Sequence, residues 1–277
     1  MEGFEHQSKG QPKTPVDAHV HFHRRQFVEP TLDAAAMNFV TLAPRAFPIA
    51  GMLLLAESAR EHVFDQLAAA ESVGGWSIRA VEDEPQTVIA RREEREIAIV
   101  CGRQVRCTFG LEVLALGTTV RYPDGCAAGE TIARIQRDGA VPVLPWGFGK
   151  WLGRARSVVA NLFNSSSPQT FFAGDNGGRL QLLGLPKQLR AASRAGFRVL
   201  PGTDPFPSWG DYRRAGSFGF LADLELDSSR PWRSLQKWLE ASGSAPEPYG
   251  RGLGIFRFAI NQSWIQIRNR VMLAGAA

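Results

Sequence analysis

The chain has 277 residues, 44% hydrophobic and 21% charged, with 28 Gly and 17 Pro. That balance excludes disorder as the main state, and the length suits one α/β domain with insertions better than two ordinary domains. Its net charge of +5 arises from 32 basic and 27 acidic residues, but the arginines are scattered among acids, as in Arg91-Arg92-Glu93-Glu94-Arg95, so nucleic acid is not an expected partner. The three cysteines have no CxxC spacing, which implies a reducing compartment. The longest nearly uncharged run, 46–56, is interrupted by Pro48 and Gly51 and is too short to cross a bilayer. With no basic-then-apolar leader at the start, a soluble cytoplasmic protein is expected, its oligomeric state left open.

Residues 1–14 are polar and read as a flexible N-terminal arm. Residues 16–22 form a short β segment running into histidines, 32–39 a helix, and 50–56 (AGMLLLA) a strand buried on both faces. Residues 60–70 place Val63, Phe64 and Leu67 at helical spacing before Gly74-Gly75. Short β runs at 76–81, 87–90, 97–101 and 105–107 make an antiparallel insertion near 76–108, with Cys101-Gly102-Arg103-Gln104 as a hairpin tip or bulged turn. Strand 111–117 (LEVLALG) follows. Then come helix 130–137, strand 141–146, helix 152–163, strand 170–173, helix 186–195, strand 198–201, strand 218–226 and helix 232–241. A Gly, Ser and Pro rich piece, 243–254, opens a C-terminal extension (about 243–277) whose apolar part, 255–271, should dock on the body. Strands alternating with helices argue for a parallel sheet, open or closed into a barrel. No G-x-G-x-x-G follows the first strand, and Gly174-Asp175-Asn176-Gly177-Gly178 lacks the spacing and lysine of a phosphate-binding loop.

The densest chemistry lies in Asp17-Ala18-His19-Val20-His21-Phe22-His23. In a strand, residues two apart share a face, so Asp17, His19, His21 and His23 would point the same way. Two imidazoles about 6–7 Å apart along a strand can chelate one ion. Three of the chain's five histidines stand within five positions, which favours a metal site over histidines satisfied by neighbours. Gly202-Thr203-Asp204-Pro205 follows a strand, and in a parallel barrel it would share the rim of His19 and His21. The ends of 16–22, 111–116, 141–146, 170–173 and 198–201 should therefore converge. Lys150, Arg179 and Arg213 follow strand ends and are candidates for holding an anionic substrate. Trp146, Trp151 and Trp209 fit an aromatic wall or plain packing equally well. The cysteines fit buried packing.

In chain order, these pieces resemble the polymerase-and-histidinol-phosphatase family of metal-dependent phosphoesterases. The similarity begins at Asp17-Ala18-His19-Val20-His21 and runs through 100–105, 111–116 and 138–146 to 196–204, which ends in Gly202-Thr203-Asp204. Wider amidohydrolase barrels share the H-x-H opening and closing Asp. The sequence departs from the family pattern at several ligand positions. Gln104 stands for the family glutamate, Glu112 and Trp146 for two histidines, Phe206 for the histidine after the last Asp, and Glu57-Ser58 for an Asp-His pair.

The resemblance implies a distorted TIM-like (βα)7-8 barrel over 15–277, holding one or at most two divalent ions (Zn, Mn or Fe). His19, His21 and Asp204 would be ligands, and Glu57, Glu112 and Asp175 carry further oxygen donors. Asp204 or Glu112 would take a proton, while Lys150, Arg179 or Arg213 would hold a small anionic or phosphorylated substrate. The implied activity is metal-dependent hydrolysis of a phosphoester. The alternatives are a catalytically inactive barrel that binds or scaffolds, and an amidohydrolase-type C–N hydrolase.

Overall fold

The computed structural model describes residues 13–42, 49–207, 210–241, 243 and 245–261. Most of the N-terminal arm, the second half of the apolar C-terminal segment and Trp209 lie outside the described residues. The strands are β1 Thr14–Val20, β2 Ile49–Leu55, β3 Ser72–Val73, β4 Trp76–Val81, β5 Glu84–Arg92, β6 Arg95–Val100, β7 Gly102–Arg106, β8 Glu112–Leu116, β9 Val141–Trp146, β10 Phe172–Asp175, β11 Val199–Pro201, β12 Phe218–Ala222 and β13 Glu247–Gly250. The α-helices are α1 Val28–Leu42, α2 Val63–Ala68, α3 Ala128–Arg137, α4 Arg154–Ser165, α5 Lys187–Arg194 and α6 Pro231–Ala241.

These strands do not form a TIM-like barrel. They fall into two mixed sheets, one of eight strands in the order β13-β12-β1-β2-β6-β5-β4-β3 and one of five in the order β11-β10-β9-β8-β7. A barrel of βα units requires each strand to pair in parallel with the next. Here the meander β3–β6 folds back so that β6, not β7, lies beside β2, and β12 returns antiparallel on β1. The inserted β segment is thus split. Its first strands extend one sheet, the chain crosses at Cys101, and β7 opens the other, so Gly102-Arg103-Gln104 is strand rather than hairpin tip. In that second sheet β8 runs antiparallel to both neighbours, which brings its first residue, Glu112, to the rim where β9 ends. Strand β13, within the Gly, Ser and Pro rich piece, had no apolar alternation to announce it.

Burial explains the patterns. All seven residues of β2 are buried: Ala50, Leu53 and Leu55 pack on one side with α1 and α2, and Ile49, Met52 and Leu54 on the other with the second sheet. An uninterrupted apolar strand is what a doubly covered sheet demands. By contrast β4 buries Trp76 and Ile78 and exposes Ser77 and Arg79, as expected for a strand with one wet face. The inner core joins Val16, Ala18, Leu114, Leu116, Val143 and Leu200 to Trp232, Leu235 and Leu239 of α6. A third cluster packs α3, α4 and α5 on the outer face of the second sheet, and it contains Trp146 and Trp151. No helix among the described residues is long and apolar enough to cross a membrane.

The two sheets meet at two seams. At one, Glu57 N–H donates to Gly102 O at 3.1 Å and Gln104 N–H to Glu57 O at 2.9 Å. A Cβ on Gly102 would lie 2.2 Å from Leu55 O, so only glycine allows that approach. At the other, Asp204 N–H donates to His19 O at 2.7 Å, and a Cβ on Gly202 would lie 2.3 Å from His19 N. Between these seams stands the functional rim.

Candidate metal centre

Strand β1 carries the first ligands. His19 and His21 are both buried, and their Nε2 atoms lie 3.2 Å apart. Each Nε2 is also 3.2 Å from Oε1 of Gln104 on β7, and 3.5 and 3.6 Å respectively from Oδ1 of Asp204, just past β11. Four donor atoms from three segments thus face one another. In a four-coordinate zinc site with bonds near 2.0–2.1 Å, ligand atoms stand about 3.3–3.4 Å apart. His19, His21 and Asp204 form one group able to hold an ion, and His21, His23 and Glu61 form another.

The protonation chemistry agrees with the spacing. Glu61 faces Nδ1 of His21 at 3.3 Å and Nδ1 of His23 at 2.8 Å, and accepts Ser58 N–H at 2.7 Å. Burial alone would raise its pKa, but those partners hold it well below the usual carboxylate range. A carboxylate only accepts, so the proton of His21 sits on Nδ1 and its Nε2 lone pair turns toward Gln104 and Asp204, themselves acceptors. Such a cluster calls for a cation. Burial pulls His21 down, but Glu61, Asp204 and Glu112 outweigh it and its pKa rises. Burial dominates at His19, lowering it to about 4 despite Asp204. Asp204 is held at about 2: burial opposes ionisation, and the charges of the histidines, Lys150 and Arg214 overcome it. The donor set fits a divalent ion.

Supports lie beneath. Asp17 is fully buried and accepts Thr203 N–H and O–H at 2.8 and 2.6 Å and Gly216 N–H at 2.9 Å. Burial still pushes its pKa up to about 6. Asp17 therefore ties β1 to the Asp204 loop and does not share the histidines' environment. Asn176 Nδ2 donates to the other Asp204 oxygen at 3.0 Å. Four non-glycine residues among those described have positive φ, and three of them, His23 (57°), Phe109 (60°) and Asp204 (43°), line the cavity above the donors. Such conformations concentrate where function holds them.

That cavity has a volume of about 580 Å³. Glu112 and Lys150 stand on its wall, joined by an ion pair. The remaining sequence candidates lie elsewhere. Glu57 is buried against Arg103, whose Nη1 donates to it at 2.7 Å, and accepts Phe64 N–H at 2.7 Å. Asp175 is buried, accepting from Arg179 Nε at 3.0 Å and Gly177 N–H at 3.2 Å. Arg213 is exposed, over the Tyr212 ring. Trp146 and Trp151 are core. Glu61 was absent from the sequence candidates, because the helical spacing of Val63, Phe64 and Leu67 absorbed it into a helix that starts only at Val63.

These features define an α/β protein of two mixed sheets with a buried His-His-Asp donor cluster beneath an open cavity. No family model and no curated protein matches the chain. Among solved structures, PsfC from Pseudomonas syringae PB-5123 shares the fold, with a TM-score of 0.56 over 94% of this chain and 99% of that chain at 13% identity. PfuEndoQ, a lesion-specific endonuclease from Pyrococcus furiosus, aligns at a TM-score of 0.49 over 87% of this chain and 59% of its own, at 11% identity. Likeness at such identity speaks to fold alone.

Proposed function

We propose that this protein is a metal-dependent hydrolase of small anionic esters, with phosphoesters as the substrate class. The observation that carries the reading is the meeting of the two Nε2 atoms, 3.2 Å apart, with Gln104 Oε1 at 3.2 Å and Asp204 Oδ1 at 3.5–3.6 Å from them, beneath an open cavity. His19, His21 and Asp204 would hold one divalent cation, Zn, Mn or Fe, with Gln104 as a neutral oxygen donor. When bound, such an ion supplies Lewis acidity and brings the pKa of water toward neutrality. Glu61 fixes the His21 ring so that Nε2 faces inward, and Asn176 fixes the Asp204 carboxylate. Glu112 is the acceptor on the cavity wall for the proton of the attacking water, and Lys150 the cation for charge developing on the substrate. Glu57 and Asp175 are outside this set, since Arg103 and Arg179 engage their carboxylates. Arg179 and Arg213 have no place in it either.

Gln104 favours a second reading, a binding protein without turnover, because an amide supplies less negative charge to an ion than a carboxylate does. Elemental analysis of protein purified without chelator, with hydrolysis of p-nitrophenyl phosphate and its bis ester, separates the two. We expect bound transition metal, lost in the His19→Ala/His21→Ala variant. Asp204→Asn should keep the melting temperature, weaken metal binding by about tenfold, or 1.4 kcal/mol, and abolish hydrolysis. Metal bound without turnover of either ester would leave the binding reading. Protein that takes up no Zn, Mn or Fe would overturn both.

A further inference from the structure

The cavity wall beyond the donor cluster carries a feature the hydrolase reading does not use. Arg106, at the end of β7, is exposed, lines the cavity, and its guanidinium has no partner among the described residues. The lack of a partner has a local cause. Arg106 lies directly opposite Glu112 in the β7–β8 ladder, where a cross-strand ion pair is the ordinary outcome, but Lys150 takes that carboxylate. Arg106 is two residues on from Gln104, so both side chains leave the same face of β7, one pleat repeat or about 7 Å apart. Gln104 touches both histidines. Arg106 therefore stands one repeat outward from the donor cluster.

The second part of the wall is aromatic. Phe109 is 54% exposed and Phe148 is 59% exposed, and both line this cavity. Phe109 holds its ring there from a left-handed backbone, φ 60°, a conformation a bulky side chain adopts at a cost. Phe148 is braced by the Phe258 ring, edge-on at 5.4 Å. Rings from two loops on one cavity wall supply faces for a planar group, and a bare guanidinium supplies a fork for a carboxylate or phosphate.

We infer that the cavity takes a substrate with a planar ring between its scissile group and a second anionic group, the ring packing on Phe109 and Phe148 and the remote anion pairing with Arg106. The inference rests on the hydrolase reading for which end is cleaved, and on the wall alone for what is recognised. The volume of about 580 Å³ lies in the range of pockets that bury a ligand of that size. Arg106 acts here as a specificity residue, because its partner is a part of the substrate that does not react.

The test uses zinc-loaded protein and three phosphonates titrated by calorimetry: methylphosphonate, phenylphosphonate and 4-carboxyphenylphosphonate. The para ring sets its two anions apart by roughly one pleat repeat. We expect the ring to tighten binding over the methyl compound, and the carboxylate to tighten it about tenfold more, the worth of one charge-assisted pair. In Arg106→Met, which keeps the length of an exposed side chain, the carboxylate's gain should shrink below about twofold while phenylphosphonate binds as before. Phe109→Gly, which suits the left-handed backbone, and Phe148→Ala should each remove the ring's gain. Equal affinity for the two aryl compounds in the parent, undiminished preference in Arg106→Met, or no binding of any phosphonate would overturn the inference. Turnover of 4-carboxyphenyl phosphate is read separately. Its absence with the affinity pattern intact would sink the hydrolase reading alone, and turnover without discrimination would sink the inference alone.

Discussion

Two kinds of acid stand at the strand ends of this rim, and their fates differ. Asp204, past β11, directs one oxygen at two imidazoles and receives only an amide, Asn176, on the other. Glu57 and Asp175, after β2 and at the end of β10, are more deeply buried, and each is claimed by an arginine, Arg103 or Arg179. Position at a strand's C-terminal end makes a carboxylate available. Whether it can hold an ion depends on the nearest guanidinium. Burial raises the Glu57 pKa, and Phe64 N–H and Arg103 only partly offset it.

The largest way to break the comparison is to remove such a partner. Arg103→Met should destabilise the fold by about 3–5 kcal/mol, because Glu57 is left buried without its cation. Adding Glu57→Gln should return part of that loss. Chemical denaturation measures both, and zinc affinity of the folded fraction should be unchanged. A stable single variant with impaired zinc binding would place Glu57 in the ion site after all.

Next in size is the effect of Glu61. If it sets the His21 ring, Glu61→Gln should weaken zinc binding about 10- to 100-fold, the usual cost of losing a carboxylate behind a ligating histidine. Glu61→Asp should recover part of it. Zinc titration against a competing chelator gives the number, and a Glu61→Gln protein with parental affinity would show that packing alone orients His21.

Parts of this arrangement were legible in the sequence. The i, i+2 spacing of His19 and His21 and the Gly-Thr-Asp after an apolar strand mark residues that the fold brings together, since both signals depend only on local strand geometry. The sheet order was not legible. Alternating strands and helices fix which segments are strands, but not that β6 rather than β7 pairs with β2, a choice made when the chain crosses at Cys101. Which carboxylates an arginine claims is equally hidden. Arg103 lies 46 residues from Glu57, and only the Gly102 close approach brings them together. Glu61 had a faint signal: the apolar spacing begins at Val63, which leaves Glu61 ahead of the helix and free to turn back toward β1.

The smallest effect sharpens the contrast most. Asp175 and Asp204 both stand at strand ends of the same sheet's rim, and both become neutral on substitution by Asn. At Asp175 the carboxylate is bound to Arg179 Nε and Gly177 N–H, and an amide oxygen can still accept one of these. Asp175→Asn should therefore cost about 1 kcal/mol of stability, near the net worth of one ordinary hydrogen bond, and leave zinc affinity within about twofold. Asp204→Asn should do the reverse, sparing stability and weakening zinc. The two variants, measured side by side by thermal melting and zinc titration, form a crossed pair in which each is the control for the other. If Asp175→Asn weakens zinc as much as Asp204→Asn, then the Arg179 pair does not withhold Asp175 from the ion. The rule that a neighbouring guanidinium decides a rim carboxylate's role would then fail in this fold.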